Sequence, residues 1–236
     1  MSRYQNLPAG ALPASDVPLR YGIVLFPGFQ ALDAFGPLDA LNTLALNYPL
    51  DLCVLAESIE PVSTKPPSGV IDLPLGSNFA QSIQPTHTFS NAPPIDVLIV
   101  PGGFGVRSEE NMKPVVGYIQ DVYPSLKYLI TVCTGSGLAA RAGVLDGRKA
   151  TTNKRAWEWA THLRPQVEWI ARARWVEDGN IWTAAGVSAG LDLVIAFMEK
   201  VYGVGVGKMI ADTLEYDAHT DAHWDPFAEL NGLGAS

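Results

Sequence analysis

Three mostly apolar runs of strand length in this chain each lead directly into a turn that contains glycine. They are LRYGIVLF at 19–26, IDVLIV at 95–100 and LKYLITV at 126–132, and the turns that follow are PGF, PGG and CTGSG. Short continuous apolar runs are typical of strands that are buried on both faces, and strands that alternate with helices pack into a parallel sheet. The pattern therefore predicts a doubly wound α/β fold, with a mainly parallel sheet flanked by helices.

Between these strands, and from the last of them to near the C-terminus, lie segments whose apolar residues recur at helical spacing, which predicts helices. A short helix is expected from Leu138 to Arg141, ending at Gly143, and a hairpin is expected around Asp178-Gly179, a strong turn signal. The other predicted helices lie at 31–47, 111–123, 155–163, 188–202 and 206–216, and the other predicted strand pieces lie at 51–56, 149–152, 170–177 and 181–185.

Two stretches lack such periodicity. Residues 57–94 are rich in proline, which predicts an excursion of short strands and turns, with 69–71 as one extended piece. The last twenty residues are expected to be irregular, with Trp224 and Phe227 as packing anchors. At the other end, residues 1–17 are expected to form a flexible tail, and 18–236 a single α/β domain.

Composition limits the partners of this chain. Its 236 residues, 47% of them hydrophobic, suffice for one domain with a buried core. The net charge of −8 comes from scattered acidic residues and argues against nucleic acid, because phosphate binding needs clustered Lys and Arg. The sequence has neither the apolar stretch of a signal peptide nor a run long enough to cross a membrane, so a cytoplasmic protein is expected.

The two cysteines, Cys53 and Cys133, are too few for a disulfide framework or a multi-cysteine metal site. Cys53 lies within an apolar strand and is expected to be core. Cys133 falls at a strand-to-helix junction, where unpaired helix N–H groups favour a thiolate over a thiol. The glycines at 135 and 137 allow the sharp turn that places the sulfur at the rim of the sheet. Cys133 is therefore the candidate nucleophile.

Three features converge beyond the carboxyl ends of the predicted strands, where doubly wound sheets bind their ligands. They are Asp33, which follows the first strand, the Gly102-Gly103 loop and the Cys133 turn. The glycine loop is not followed by Gly-Lys-Ser/Thr or by a GxGxxG pattern, so a nucleotide site is not expected. His219 and His223 have i, i+4 spacing, but no cysteine accompanies them and no metal site is expected.

The quoted motifs resemble the ThiJ/PfpI family, within the class I glutamine amidotransferase-like superfamily, whose fold is flavodoxin-like. The resemblance covers roughly residues 20 to 200, and the early Leu-Asp followed by Gly-Pro points to the isonitrile hydratase branch. The segments that carry it are LFPGFQALDAFGPLDALN at 25–42, DVLIVPGG at 96–103, VCTGSGLAARAGVLDGRKATTNK at 132–154 and WTAAGVSAGLDL at 182–193.

The resemblance implies a role for each matching residue. The nucleophile falls on Cys133, the acid on Asp33, and the supporting hydroxyl and a backbone donor on Thr134, with Gly103 as a second donor. Gly102, Gly103 and Thr134 are accordingly expected to contact the substrate. The implied reaction is the addition of water to an isonitrile, without a cofactor or metal, through a thioimidate on Cys133. A homodimer with a small-molecule substrate is expected.

One departure from the family keeps alternatives open. Residues 151–154 read Thr-Thr-Asn-Lys where several relatives carry a histidine, so a Cys-His pair needs His87, His162, His219 or His223 to come from elsewhere. The alternatives are action on methylglyoxal of the glyoxalase or deglycase kind, and a redox sensor or chaperone-like dimer in which Cys133 is oxidised. A transcription regulator is not expected, since its additional helix-turn-helix domain has no room here.

Overall fold

The central sheet of the computed structural model, which describes residues 6–71 and 76–233, has seven strands. Their order across the sheet is β6-β7-β5-β4-β1-β2-β3, and every neighbouring pair is parallel except β6 and β7. The predicted doubly wound, mainly parallel sheet is confirmed. The strands are β1 Arg20–Val24, β2 Asp51–Ala56, β3 His87–Thr88, β4 Val97–Val100, β5 Tyr128–Val132, β6 Trp175–Asp178 and β7 Ile181–Ala184.

Helices cover both faces of this sheet. The helices α1, α5 and α6 pack together, and α3 packs against both α2 and α4. No helix in the described ranges combines the length and the apolar character that crossing a bilayer requires. The helices are α1 Ala31–Leu44, α2 Glu109–Val122, α3 Gly135–Arg141, α4 Trp157–Leu163, α5 Ala189–Val201, α6 Val206–Thr213 and α7 Pro226–Leu230.

Three local predictions are wrong. Residues 69–71 form a turn and a bend instead of an extended piece, with Gly69 at a positive φ of 81°. The hairpin strand predicted at 170–177 begins only at Trp175. The last twenty residues are not wholly irregular, because they contain α7, whose first turn is capped by the Asp225 side chain.

The C-terminal segment is anchored by a buried ion pair. Phe227 is exposed and is not the predicted packing anchor, whereas the ring of Trp224, itself 42% exposed, stacks on His219 at 3.9 Å and lies 5.7 Å from the Arg174 guanidinium. Asp225 is buried instead and forms an ion pair with the buried Lys154 amino group at 3.2 Å. A buried charge needs such a partner, and this requirement holds α7 against the segment that follows Thr152.

The predicted N-terminal tail is partly ordered. Gly10–Ala11 pairs with Gly203–Val204, Leu12 donates its N–H to the Tyr202 carbonyl at 2.7 Å, and Val17 is buried. The expectation of a flexible tail is therefore wrong for residues 10–17, while residues 1–5 lie outside the described residues. That residues 18–236 form a single domain stays a prediction. Cys53 is buried in β2, as expected.

The start of α3 lies very close to the end of β4. A Cβ atom added at Gly135 would lie 2.2 Å from the Val100 carbonyl oxygen and 2.8 Å from that of Pro101. Real Cβ atoms do not approach backbone so closely, so a side chain here forces the β5–α3 turn away from β4. Gly135 thus sets the distance between the Cys133 turn and the Gly102-Gly103 loop.

We expect Gly135→Ala to lower the free energy of unfolding by about 2 kcal/mol or more, because the clash is with backbone that cannot move cheaply. Gly117 is the matched control: it lies inside α2 with no atom within 4 Å of an added Cβ. Gly117→Ala should be neutral or stabilising by up to about 1 kcal/mol. Urea unfolding measures both, and equal stability of the two variants contradicts the close contact.

Candidate active site

Cys133 occupies a strained turn between β5 and α3. Its φ of 58° lies in the left-handed region, which costs a non-glycine residue about 1–2 kcal/mol. The surrounding structure fixes the turn by three hydrogen bonds: the Cys133 N–H donates to the Ala184 carbonyl, and its carbonyl accepts from Ser136 Oγ and Thr152 Oγ1, both at 3.1 Å. The predicted strand-to-helix junction is confirmed, and Cys133 as a whole residue is only 5% exposed.

The Cys133 sulfur is surrounded by hydrogen-bond donors. Asn153 Nδ2 lies 3.2 Å from Sγ, and the nearby backbone N–H groups of Thr134 and Val187 also favour the ionised form of the sulfur. The Asn153 amide is held in this orientation because its oxygen accepts the N–H groups of Arg155 and Ala156. The sequence singled out Asn153 only as the site of a missing histidine, and no spacing signal identified its contact with the sulfur.

Asp33 lies in the first turn of α1 and is fully buried beside this turn. Its Oδ2 accepts the Gly102 N–H at 2.9 Å, and no described residue makes a regular hydrogen bond to Oδ1. Burial raises the pKa of this carboxyl from its usual value near 3.8 to about 7, although the Gly102 N–H and the Cys133 thiol partly oppose the shift. Asp33 can therefore gain and lose a proton near neutral pH.

The structure corrects the expected ionisation of Cys133. Burial, together with the nearby Asp33 carboxylate, raises the pKa of the Cys133 thiol to about 12, and the donors from Thr134, Asn153 and Val187 offset this only in part. The helix N-terminus thus does not produce a thiolate here. Near neutral pH the pair is a neutral thiol beside a carboxyl that titrates around pH 7.

The Gly102-Gly103 loop contacts Thr134 and Asp33 directly. A Cβ at Gly102 would lie 2.5 Å from the Thr134 nitrogen and Oγ1, so only glycine fits. The Gly103 N–H donates to Thr134 Oγ1 at 3.0 Å. The expected second backbone donor is thus already bonded to Thr134, while the Thr134 N–H favours the ionised form of the sulfur.

A cavity of about 320 Å³, called the Cys133 cavity below, opens onto the sulfur. Of the predicted site residues, Cys133, Thr134 and Gly103 line it, whereas Gly102 does not, and their contact with a substrate stays a prediction. None of the four histidines of the chain, all of them described, is among its lining residues, so no Cys-His pair forms there. The lining residues that sequence analysis did not assign to the site are Gln30, Phe104, Arg107, Asn153, Arg155, Ala156 and Val187.

The fold and this geometry define an α/β protein with a cysteine on a strained strand-to-helix turn and a buried acid beside it. The DJ-1/PfpI family model matches residues 20–200, and the chain belongs to the DJ-1/PfpI family. It is 32% identical over 200 residues to the isonitrile hydratase of Pseudomonas putida, an alignment that covers 84% of this chain and 78% of that protein.

Other comparisons give the breadth of the family. The crystal structure of a ThiJ/PfpI family protein from Pseudomonas syringae superposes with a TM-score of 0.71 at 25% identity, covering 92% of this chain and 84% of the other. The transcriptional regulator GbdR of Pseudomonas aeruginosa is 29% identical over 138 residues, which are 57% of this chain and 36% of the regulator. Members of this family therefore include an enzyme and regulators.

The raised pKa of Asp33 predicts a pH-dependent penalty on folding. An unfolded carboxyl ionises near pH 3.8, whereas the folded one holds its proton up to about pH 7, so stability falls as pH rises through this interval and then stays level. Asp33→Asn keeps an acceptor for Gly102 and removes the buried charge. We expect this variant to be more stable than wild type by on the order of 1–3 kcal/mol at pH 8, and the difference to shrink toward pH 4.

Thermal and urea unfolding at several pH values measure this difference. Asp39→Asn is the control, because Asp39 lies on the same helix with an exposed side chain. A constant difference between Asp33→Asn and wild type from pH 4 to pH 8 contradicts the raised pKa.

Proposed function

We propose that this protein is a cofactor-free, cysteine-dependent hydratase of the isonitrile hydratase kind, which adds water to an isonitrile and yields an N-substituted formamide. The observation that carries the proposal is the buried pair of Cys133 and Asp33, in which a neutral thiol lies beside a carboxyl that can exchange its proton near pH 7. The 32% identity with isonitrile hydratase over most of both chains supports the same reaction class.

The first step uses both members of the pair. The terminal carbon of the isonitrile is electrophilic, and the sulfur of Cys133 bonds to it as the S–H bond breaks and the proton passes to Asp33. Asp33 then delivers this proton to the same carbon, where a lone pair is available. The product is a thioimidate, R–N=CH–S–Cys133, and no proton has been lost or gained overall.

Water completes the reaction. It adds to the thioimidate carbon, losing a proton to Asp33, and the C–S bond breaks as that proton returns to the sulfur. The second proton of the water ends on nitrogen, which gives R–NH–CHO and the free thiol. Asn153 and the Thr134 N–H lie on the sulfur and stabilise the negative charge that develops there in both steps.

The high pKa of the Cys133 thiol disfavours the redox-sensor alternative, since oxidation to a sulfinate begins from an accessible thiolate. Asn153 in contact with the sulfur, and the absence of histidine from the lining of the Cys133 cavity, distinguish this site from a Cys-His site. Action on methylglyoxal remains the enzymatic alternative, to be tested by direct assay.

We further propose a homodimer in the cytoplasm, acting on a small molecule without a nucleic-acid or membrane partner. Exposed apolar side chains support self-association: Leu32, Phe35 and Leu52 lie around a largely apolar cavity of about 610 Å³ on the outer side of α1. Asp33 belongs to the same helix, so a second subunit on this face would stabilise the helix that carries the acid.

The test is formamide production from cyclohexyl isonitrile, measured by mass spectrometry. We expect wild type to turn over, Cys133→Ala to lose activity by about a thousandfold or more, because the covalent step is removed, and Asp33→Asn to lose at least about a hundredfold. Cys53→Ala, which changes the buried cysteine of β2, should retain activity. Wild type that hydrates neither this isonitrile nor isocyanoacetate, or Cys133→Ala that hydrates either at the wild-type rate, contradicts the proposal.

A further inference from the structure

Arg107 and Arg155 differ from the other arginines that the structure describes. Every other described arginine forms an ion pair with an Asp or Glu side chain, whereas neither of these two has a carboxylate partner among residues 6–71 and 76–233. Both line the Cys133 cavity, and no acidic residue is among its lining residues. In a protein with a net charge of −8, this is a local concentration of unpaired positive charge.

Arg107 is held in place without a counter-ion. Its guanidinium lies 4.0 Å from the centre of the Trp159 ring, a cation–π contact, and Arg141 lies over the same ring at 5.5 Å. Partial burial and the positive charge of Arg141 lower the pKa of Arg107. The guanidinium stays protonated, so a bound anion would relieve this unfavourable environment.

Arg155 lies two residues after Asn153 in sequence. Its backbone N–H donates to Asn153 Oδ1, and the residue lines both the Cys133 cavity and a neighbouring cavity of about 480 Å³. The two arginines therefore border a single space that contains the reactive sulfur. A guanidinium without an internal partner presents its N–H donors to whatever enters this space.

The backbone N–H groups near the cavity indicate which kind of anion the two arginines bind. Phosphate sites commonly use free N–H groups of a glycine loop or helix start. Here the Gly102 N–H donates to Asp33 and the Gly103 N–H to Thr134, so the loop offers a phosphate no such pair. A planar guanidinium can bind a carboxylate with two parallel hydrogen bonds without the help of such backbone N–H groups.

We propose that the Cys133 cavity selects small electrophiles that carry a carboxylate, which Arg107 and Arg155 bind while the electrophilic carbon faces the sulfur. Combined with the proposed hydratase function, on which this part rests, the substrate class is a carboxylate-bearing isonitrile. The anion selectivity itself does not depend on which reaction Cys133 catalyses.

Alkylation of Cys133 tests the selectivity without isonitrile turnover. Iodoacetate and iodoacetamide transfer similar groups to sulfur and release iodide, but only iodoacetate is charged. Peptide mass spectrometry follows both reactions at Cys133 and gives the alkylation ratio, which is the rate constant for iodoacetate divided by that for iodoacetamide. This ratio is compared with the same ratio for N-acetylcysteine. We expect the wild-type ratio to exceed the reference by at least about tenfold at low salt and to fall toward it as salt is added.

Charge-removing substitutions assign this effect to the two arginines. Arg107→Gln and Arg155→Gln should each lower the ratio at least about threefold, and Arg107→Lys should keep most of it because the charge stays. Arg148→Gln is the matched control: it removes one positive charge from a residue outside the cavity, paired with Asp178, and should leave the ratio unchanged. Unfolding temperatures of all variants confirm that they are folded.

A wild-type ratio at or below that of N-acetylcysteine overturns the proposal, as does a ratio that neither glutamine variant changes. Hydration of isocyanoacetate and of its methyl ester separates the two proposals. If the alkylation ratio behaves as expected and neither isonitrile is hydrated, the anion site stands and the hydratase function fails. If both are hydrated at equal kcat/KM and the alkylation ratio equals the reference, the anion site fails and the function stands.

Discussion

The active-site structure depends on one costly arrangement, the burial of the Asp33 carboxyl beside the Cys133 thiol. Burial raises the pKa of both groups, and the Asp33 carboxylate raises that of the Cys133 thiol further, so near neutral pH the thiol is neutral and the carboxyl is only partly ionised. An isolated buried carboxylate is unfavourable, and among the residues that the structure describes only the Gly102 N–H makes a regular hydrogen bond to it. The rest of the fold holds these two groups together despite that cost.

The sheet topology explains how this is achieved. The strands β1, β4 and β5 are neighbours and run in parallel, so the segments that follow them emerge at one edge of the sheet. The segment after β1 leads into the first turn of α1 with Asp33, the segment after β4 is the glycine loop, and the one after β5 is the Cys133 turn. Glycines at 102 and 135 allow these segments to touch, since a single Cβ at either position collides with a neighbour.

Much of this arrangement was predictable from local sequence. Continuous apolar runs specified the buried strands, and the glycine-rich turns after them placed Asp33 and Cys133 at the same edge. The ionisation of Cys133 was not predictable, because it depends on a balance between burial, Asp33 and three donors, one of which is the side chain of Asn153 from a distant segment. The ordered N-terminal segment and the Lys154–Asp225 pair likewise depend on contacts between residues far apart in sequence.

The central claim is that Cys133 is a neutral thiol at neutral pH, which Asp33 must deprotonate during the reaction. The most direct measurement is the ultraviolet absorbance of the thiolate as a function of pH, taken as the difference between wild type and Cys133→Ala so that Cys53 and the tyrosines cancel. We expect no thiolate absorbance from Cys133 up to about pH 9. A thiolate that is fully formed below about pH 7 would contradict the neutral thiol.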